Sequence, residues 1–252
     1  MKITETEVPG LLIIEPDVYA DSRGYFFESY NYSKMKEYGI LTQFIQDNQS
    51  KSEYGVVRGL HYQINPFSQA KLVRVIEGRI FDVAVDIRKG SSAYGKKFGI
   101  ELNHEKNIQL LIPKGCAHGF SVLSKYAIVF YKCDVFYNPS AERGIRYDDP
   151  DLCIDWHLKP DEIIVSPKDA ALPFFRESME QRAESGEQSA KGGWQMGGRG
   201  QGGGRGQGGG RGQGGGRGQG GGRGQGGDRG QGGGRGQGGG RGQGGGRRMS
   251  SE

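Results

Sequence analysis

The clearest hydrophobic pattern lies between Lys71 and Ile87. Leu72, Val73, Val75 and Ile76 mark one strand over residues 71–76. In the next run Phe81, Val83, Val85 and Ile87 alternate with Asp82, Ala84 and Asp86. Alternation with a period of two marks a strand, because successive side chains point to opposite faces. Only Glu77-Gly78 separates the two runs, so the pattern predicts a hairpin, entered through a basic stretch with Arg58 and His61.

The rest of the chain to residue 175 gives many short strands and little helix. Residues 2–8 and 11–19 read as extended segments around Pro9-Gly10, and DSRGYFFESYN reads as a turn into an edge strand. Residues 33–39 predict one short helix with a serine start and a glycine stop. QFIQDNQSKSEYG passes from a brief apolar run into a polar loop, and residues 91–99 read as a loop. A strand over 108–112 ends at Pro113. A long strand over 127–137 places Tyr131 and Tyr137 on one side, since they are six residues apart. Residues 139–173 are loop-rich. This punctuation argues for an all-β barrel or sandwich.

Composition divides the chain. Residues 1–175 hold all nine prolines and twelve of the 48 glycines; the remaining 36 glycines fall in the last 77 residues. Residues 176–195 read as a polar linker or frayed helix. From residue 196 a six-residue repeat, RGQGGG, runs almost to the end with one Gly→Asp change at Asp228. It lacks the apolar side chains needed to offset an ordering cost of ~1–2 kcal/mol per residue, so disorder is expected. Residues 1–175 are one domain's worth of chain.

Charge follows the same division. Thirteen of the 34 Lys and Arg but only six of the 29 Asp and Glu lie from Arg176 onward, so the tail carries +7 and the body −2. The basic balance therefore does not mark the body as a polyanion binder. Nine arginines spaced every sixth residue from Arg199 to Arg247 would give the tail at most weak, salt-dependent polyanion binding. Uniform spacing and the lack of Arg-Gly-Gly triplets favour a repeat expansion with no such role. Cys116, Cys133 and Cys153 have no metal-type spacing and stand beside apolar residues, which predicts buried free thiols in a reducing, cytoplasmic setting. The start MKITETEVPG lacks the layout of a signal peptide, and no run approaches the ~18 apolar residues of a membrane span.

His61 stands just before a strand, with Arg58 and Lys71 near it in sequence and a second histidine, His118, in PKGCAHGF. Two cations favour an anionic ligand, and an imidazole is suited to proton transfer near neutrality. The spacing of Pro113, Gly115 and His118 resembles the second motif of the cupin β-barrels. Metal-binding cupins add a His-x-His pair and a glutamate from the first motif; here it reads His61-Tyr62-Gln63, so no metal is expected. Tyr131 and Tyr137 fit either barrel packing or a polar lumen.

Several motifs in order, DSRGYFFES, RGLHYQ, KLVRVIEGRIFDVAVDIR, IPKGCAHGF, YKCD and ERGIRYDDPDLCIDW, closely resemble the dTDP-4-dehydrorhamnose 3,5-epimerase family. The resemblance covers about residues 2–175 and excludes the tail. It implies a cupin-type double-stranded β-helix, or jelly roll, with few short helices and no cofactor. The implied assembly is a homodimer with N-terminal strand exchange, acting on dTDP-4-dehydro-6-deoxy-D-glucose. His61 matches the general base, Asp169 the carboxylate that holds it, Tyr131 the opposing acid, and Lys71 the group that stabilises an enolate oxygen at C4. Arg23, Glu28, Gln46, Asn48, Arg58, His118, Glu142 and Lys168 fall on substrate-contact positions, and Tyr137 on a nucleotide-stacking position. In the family the segment with Phe26 and Glu28 crosses into the partner's site. INPFSQ and Cys116 depart from the family pattern near the site. A C3-only epimerase and a non-catalytic cupin binding protein are the alternative readings.

Overall fold

The computed structural model describes residues 1–184; the arginine-glycine repeat and most of the expected linker lie outside the described residues. Thirteen strands follow in order: β1 (Lys2–Glu5), β2 (Leu12–Glu15), β3 (Val18–Asp21), β4 (Gly24–Phe27), β5 (Gln46–Glu53), β6 (Val57–Gln63) and β7 (Lys71–Glu77). They continue with β8 (Arg79–Asp86), β9 (Lys97–Asn103), β10 (Gln109–Ile112), β11 (Cys116–Val122), β12 (Tyr126–Cys133) and β13 (Glu142–Gly144). The helices are short: α1 (Tyr32–Glu37), α2 (Pro167–Ala170) and α3 (Phe175–Glu184).

A six-stranded sheet has the order β1-β2-β10-β7-β12-β5 and a five-stranded sheet the order β13-β6-β11-β8-β9; β3 and β4 form a separate hairpin. The main core lies between the two sheets. Val73, Val75, Leu110 and Val129 come from the first, and Ile80, Ala84, Leu102 and Phe120 from the second. The architecture is the cupin-type jelly roll that the motifs implied. A second cluster with Trp156, Ile145 and Met179 covers the outer face of the five-stranded sheet. Helix α3 occupies the start of the expected linker and buries Ser178 and Met179. Among the described residues no helix is long and apolar enough to cross a membrane.

The expected β7–β8 hairpin does not form. β7 pairs with β10 and β12, whereas β8 pairs with β11 and β9. Glu77-Gly78 is instead a corner at which the chain crosses between sheets; Val73 and Val75 of the first run share the main core with Ile80 and Ala84, while the alternating Val83, Val85 and Ile87 pack into the second cluster on the outer face. Gly78 has φ +83°, and a Cβ there would stand 2.1 Å from the carbonyl oxygen of Tyr126. Alternation reports which face is buried, but not whether the next strand lies beside it or across the core.

Three further boundaries differ. Residues 46–53, expected as a polar loop, form β5, which pairs along the whole of β12 from Gln46↔Cys133 to Glu53↔Tyr126. Its inner face meets a polar cavity, so no apolar alternation announces it, and its charged edge discourages pairing with other chains. β9 begins at Lys97, inside the expected 91–99 loop. β12 ends at Cys133, so Tyr137 lies beyond the strand and the parity argument linking it to Tyr131 fails. Cys116 and Cys133 are buried, but Cys153 is exposed. It adopts φ 44° in a loop, its thiol donates to Pro150 O at 2.7 Å, and neighbouring Leu152 takes the buried position.

Candidate active site

Strand β6 carries the histidine, and an irregularity in it decides what joins that histidine. His118 of β11 pairs with His61, but Phe120, two residues on, pairs with Arg58, three residues back. β6 therefore contains one extra residue, a β-bulge. Without it, Arg58 and His61 would point to opposite faces; with it both lie on one face of β6, where His61 lines the cavity and Arg58 stays exposed. Gly59 sits in this bulge at φ +117°, and an added Cβ would fall 2.6 Å from Gly119 Cα and 2.7 Å from His118 O. Both obstacles are backbone and cannot swing away. Gly59→Ala is expected to lower the melting temperature by about 5–10 °C, given a strain cost of ~1–3 kcal/mol or more. A thermal scan showing no shift would remove this account of the bulge.

His61 Nε2 is 2.9 Å from Asp169 Oδ1. Asp169 reaches it from α2, a single turn capped by Ser166, whose hydroxyl accepts from Asp169 N at 3.0 Å. A parallel bridge between Val56 and Ile164 lays this C-terminal segment along the start of β6. The other oxygen of Asp169 accepts from Gly59 N at 3.2 Å, so one buried carboxylate holds both the imidazole and the bulge. Burial alone would raise the Asp169 carboxyl, but hydrogen bonding and charge from His61, with Gly59 N, outweigh it and hold it below the ordinary range. An ionised Asp169 accepts a hydrogen bond from Nε2–H, which leaves Nδ1 as the nitrogen with the free lone pair.

The facing wall belongs to the six-stranded sheet. Val73 on β7 pairs with Tyr131 on β12, and Lys71 pairs with Cys133, so Lys71, Tyr131 and Cys133 share the inward face. Asn48 and Gln46 extend that face through their pairing with Tyr131 and Cys133. Lys71 Nζ lies 5.9 Å from the Tyr131 ring centre. Among the described residues no carboxylate is within ion-pair distance of Lys71. Burial pushes its ammonium below the ordinary lysine range, and burial likewise pushes the Tyr131 phenol up. The Cys133 thiol is pushed up to about 11, again chiefly by burial, so it stays neutral beside Lys71.

These groups line one cavity of about 300 Å³, with His61, Gln63 and Glu142 on one side and Gln46, Asn48, Lys71 and Tyr131 on the other. Glu142 pairs with Gln63 in register. Its Oε2 accepts from the Tyr137 hydroxyl at 2.7 Å and from Lys168 Nζ at 2.6 Å. Burial would raise this carboxyl, but those two donors outweigh it and hold it low. Arg58 reaches across the barrel, donating from Nε to Ser52 Oγ at 2.9 Å. His118 forms a second imidazole–carboxylate pair, with Nε2 2.9 Å from Asp82 Oδ2, and does not line the cavity.

Arg23, Phe26 and Glu28 are not brought to this cavity within one chain. Arg23 pairs with Asp21 at 2.6 Å, Phe26 is 69% exposed, and Glu28 pairs with Lys34 at 2.7 Å. Gln63, Gln69 and Cys133 line the cavity but were not picked out from the sequence. Two of them carry uncharged amides that no motif for proton transfer selects, and Cys133 reads as an ordinary core thiol. Among the described residues no group of three or more His, Cys, Asp or Glu side chains is placed to hold a metal ion.

An imidazole oriented by a buried carboxylate can take a proton from one face of a bound molecule, while a neutral phenol on the opposite wall can return one to the other face. Set in a jelly roll, that capacity defines a cupin-type isomerase. The chain belongs to the dTDP-4-dehydrorhamnose 3,5-epimerase family, whose model matches residues 5–177. It is 48% identical over 178 residues to the dTDP-4-dehydrorhamnose 3,5-epimerase of Methanothermobacter thermautotrophicus, covering 70% of this chain and 96% of that one. The crystal structure of the enzyme of that name from Elizabethkingia anophelis NUHP1 is 48% identical, covers 70% of this chain and 97% of its own, and superposes with a TM-score of 0.68. The dTDP-6-deoxy-D-glucose-3,5-epimerase of Legionella pneumophila Philadelphia 1, solved in complex with dTDP-4-keto-L-rhamnose, is also 48% identical. It covers 69% of this chain and 93% of its own, with a TM-score of 0.67.

Proposed function

We propose that this chain epimerises dTDP-4-dehydro-6-deoxy-D-glucose at C3 and C5 to dTDP-4-dehydro-6-deoxy-L-mannose, the dTDP-4-dehydro-L-rhamnose of dTDP-L-rhamnose biosynthesis. The observation that carries the reading is the placement of His61, held by Asp169 of α2, on one sheet and of Tyr131 with Lys71 on the other, around a single cavity. The hydrogens at C3 and C5 are acidic because each carbon adjoins the C4 ketone. His61 Nδ1 takes the proton, and the C–H electron pair moves into the ketone to give an enolate. The Lys71 ammonium stabilises the developing negative charge on the C4 oxygen, and the Tyr131 hydroxyl delivers a proton to the opposite face. Proton exchange with solvent then resets His61 and Tyr131, and the substrate's oxidation state is unchanged.

Arg58, Gln46, Asn48, His118, Glu142 and Lys168 are assigned to substrate binding in this reading, with Tyr137 stacking on the nucleotide base. His118 acts at one remove, through its position beside His61 on β11. The exposed β3–β4 hairpin suits a homodimer in which Arg23, Phe26 and Glu28 enter the partner subunit's cavity; Tyr19, Tyr25 and Phe26 are each more than half exposed on it. A cytoplasmic location fits the two buried free thiols.

Incubating the protein with dTDP-4-dehydro-6-deoxy-D-glucose in deuterated water and following the sugar by NMR tests the reading. Deuterium is expected at both C3 and C5. Exchange confined to C3 would make the protein a C3 epimerase, and absence of exchange would leave a binding protein.

A further inference from the structure

Beyond Cys133 the chain leaves β12, and residues 134–138 form one lip of the cavity with Phe136 and Tyr137 about half exposed or more. No neighbouring strand holds this lip. Its first residue, Asp134, exchanges bonds with Ala70, its N donating to Ala70 O at 3.4 Å and its carboxylate accepting from Ala70 N at 2.7 Å; beyond that, three glutamine side chains bond its backbone. Gln69 Nε2 donates to Val135 O at 2.7 Å, Gln46 Oε1 accepts from Tyr137 N at 2.9 Å, and Gln63 Oε1 accepts from Asn138 N at 2.7 Å. They come from different places: Gln46 from β5 of the six-stranded sheet, Gln63 from β6 of the five-stranded sheet, and Gln69 from the connection between β6 and β7.

Gln63 is engaged at both ends. Its Nε2 also donates to Phe67 O at 2.8 Å, so one buried carboxamide ties the 134–138 lip to the 64–70 connection. Only one orientation of the amide offers an acceptor to a backbone N–H and a donor to a backbone carbonyl. A carboxylate in its place would repel the carbonyl, and an aliphatic side chain would leave both backbone groups unpaired. Gln63 stands two residues after His61, where a metal-binding cupin carries its second histidine. Here that position serves as a strut. The proton-transfer chemistry uses neither Gln63 nor Gln69.

We infer that Gln63 and Gln69 are positioning residues that act through Tyr137, fixing its ring at the cavity mouth in the pose that receives the nucleotide end of the substrate. This rests on the proposed dTDP-sugar specificity. The side chain of Tyr137 is fixed at its hydroxyl by Glu142, and its backbone by Gln46 and by Gln63 through Asn138. Loss of the Gln63 strut releases one end of the lip while leaving the Glu142 contact in place. A stacking platform that must first be ordered binds more weakly, since ordering is then paid for on binding.

A double-mutant cycle on the full chain tests this, with dTDP as the probe. Calorimetric Kd values are measured for wild type, Gln63→Leu, Tyr137→Ala and the double variant. Gln63→Leu is expected to weaken dTDP binding about tenfold, and Tyr137→Ala by about tenfold or more, the scale of one lost stacking contact. The double variant should be no more than about twofold weaker than Tyr137→Ala alone, because the strut has nothing left to position. KM for the sugar nucleotide should rise in parallel, with kcat falling less than about threefold. Gln69→Leu, which removes only the bond to Val135 O, should show the same non-additivity and serves if Gln63→Leu does not fold.

Additive losses, about 100-fold in the double variant, would overturn the inference, as would a lowered melting temperature with unchanged dTDP affinity. Deuterium exchange by wild type in the same samples separates the two levels. Exchange with an additive cycle removes the positioning role alone. No exchange with a non-additive cycle removes the epimerase reading and keeps the strut. Wild type that fails to bind dTDP removes both.

Discussion

His61→Ala is expected to lower turnover by about 10²–10⁴-fold and to abolish deuterium incorporation at both C3 and C5. Both carbons are expected to respond because both proton abstractions are assigned to one nitrogen, Nδ1, on the one imidazole whose Nε2 is held by Asp169. The test has internal contrast. Tyr131→Phe removes the proton donor on the facing wall and leaves the base intact, so exchange should persist while inversion falls. Exchange retained at either carbon in His61→Ala would assign that abstraction elsewhere. The second imidazole–carboxylate pair, His118 with Asp82, is the first place to look, since His118 is the register partner of His61 on the neighbouring strand.

The second large effect is expected at Lys71, where activity and stability should move in opposite directions. Removing an electrostatic stabiliser of a developing oxyanion costs about 10²–10³-fold in kcat, so Lys71→Met should be nearly inactive. The same substitution should raise the melting temperature by about 2–4 °C, because an apolar chain replaces a half-buried cation that has no ion-pair partner among the described residues. Burial holds the folded-state pKa of Lys71 below the unfolded lysine value near ~10.4, so the charged form is disfavoured by folding. Between those two pKa values the unfolded chain binds more protons, and this group's contribution to stability rises with pH. Activity is expected to show the reverse dependence, since the role proposed for Lys71 needs the ammonium, which is lost as pH rises through the lowered pKa. Tyr131, pushed up by burial, keeps its proton over that interval, so the alkaline limb of the kcat profile is expected to follow Lys71. An unchanged alkaline limb in Lys71→Arg, which stays charged, would move that limb to another group.

The opposition between stability and activity has a common cause. A neutral thiol and a neutral phenol share the wall with Lys71, and the carboxylates that favour its charge, Asp82 and Glu142, stand beyond ion-pair distance. A bound anionic sugar nucleotide supplies the missing charge complement. In the proposed reaction the unpaired ammonium acts most strongly when bound substrate excludes water and the enolate forms, since charge interactions gain strength as water is excluded.

The sequence by itself determined the all-β body, set the glycine-rich repeat apart by composition, and named most of the residues proposed for the site. Those features are local: alternation reports a buried face, composition reports whether a core can form, and His61, Lys71, Tyr131 and Asp169 stand in recognisable motifs. Tertiary structure alone decided how the strands are shared between sheets. The Lys71–Ile87 stretch reads as a hairpin because a two-residue link joins two alternating runs, yet Gly78 turns the chain into the opposite sheet. An earlier crossing, in the 64–70 connection between β6 and β7, places Lys71 on one wall and His61 on the other. The polar strand β5 was hidden because its inner face meets the cavity, and the bulge that turns Arg58 and His61 to the same side was hidden because parity along a strand assumes one residue per step. Strand pairing is a contact between residues far apart in the chain, and no local period encodes it.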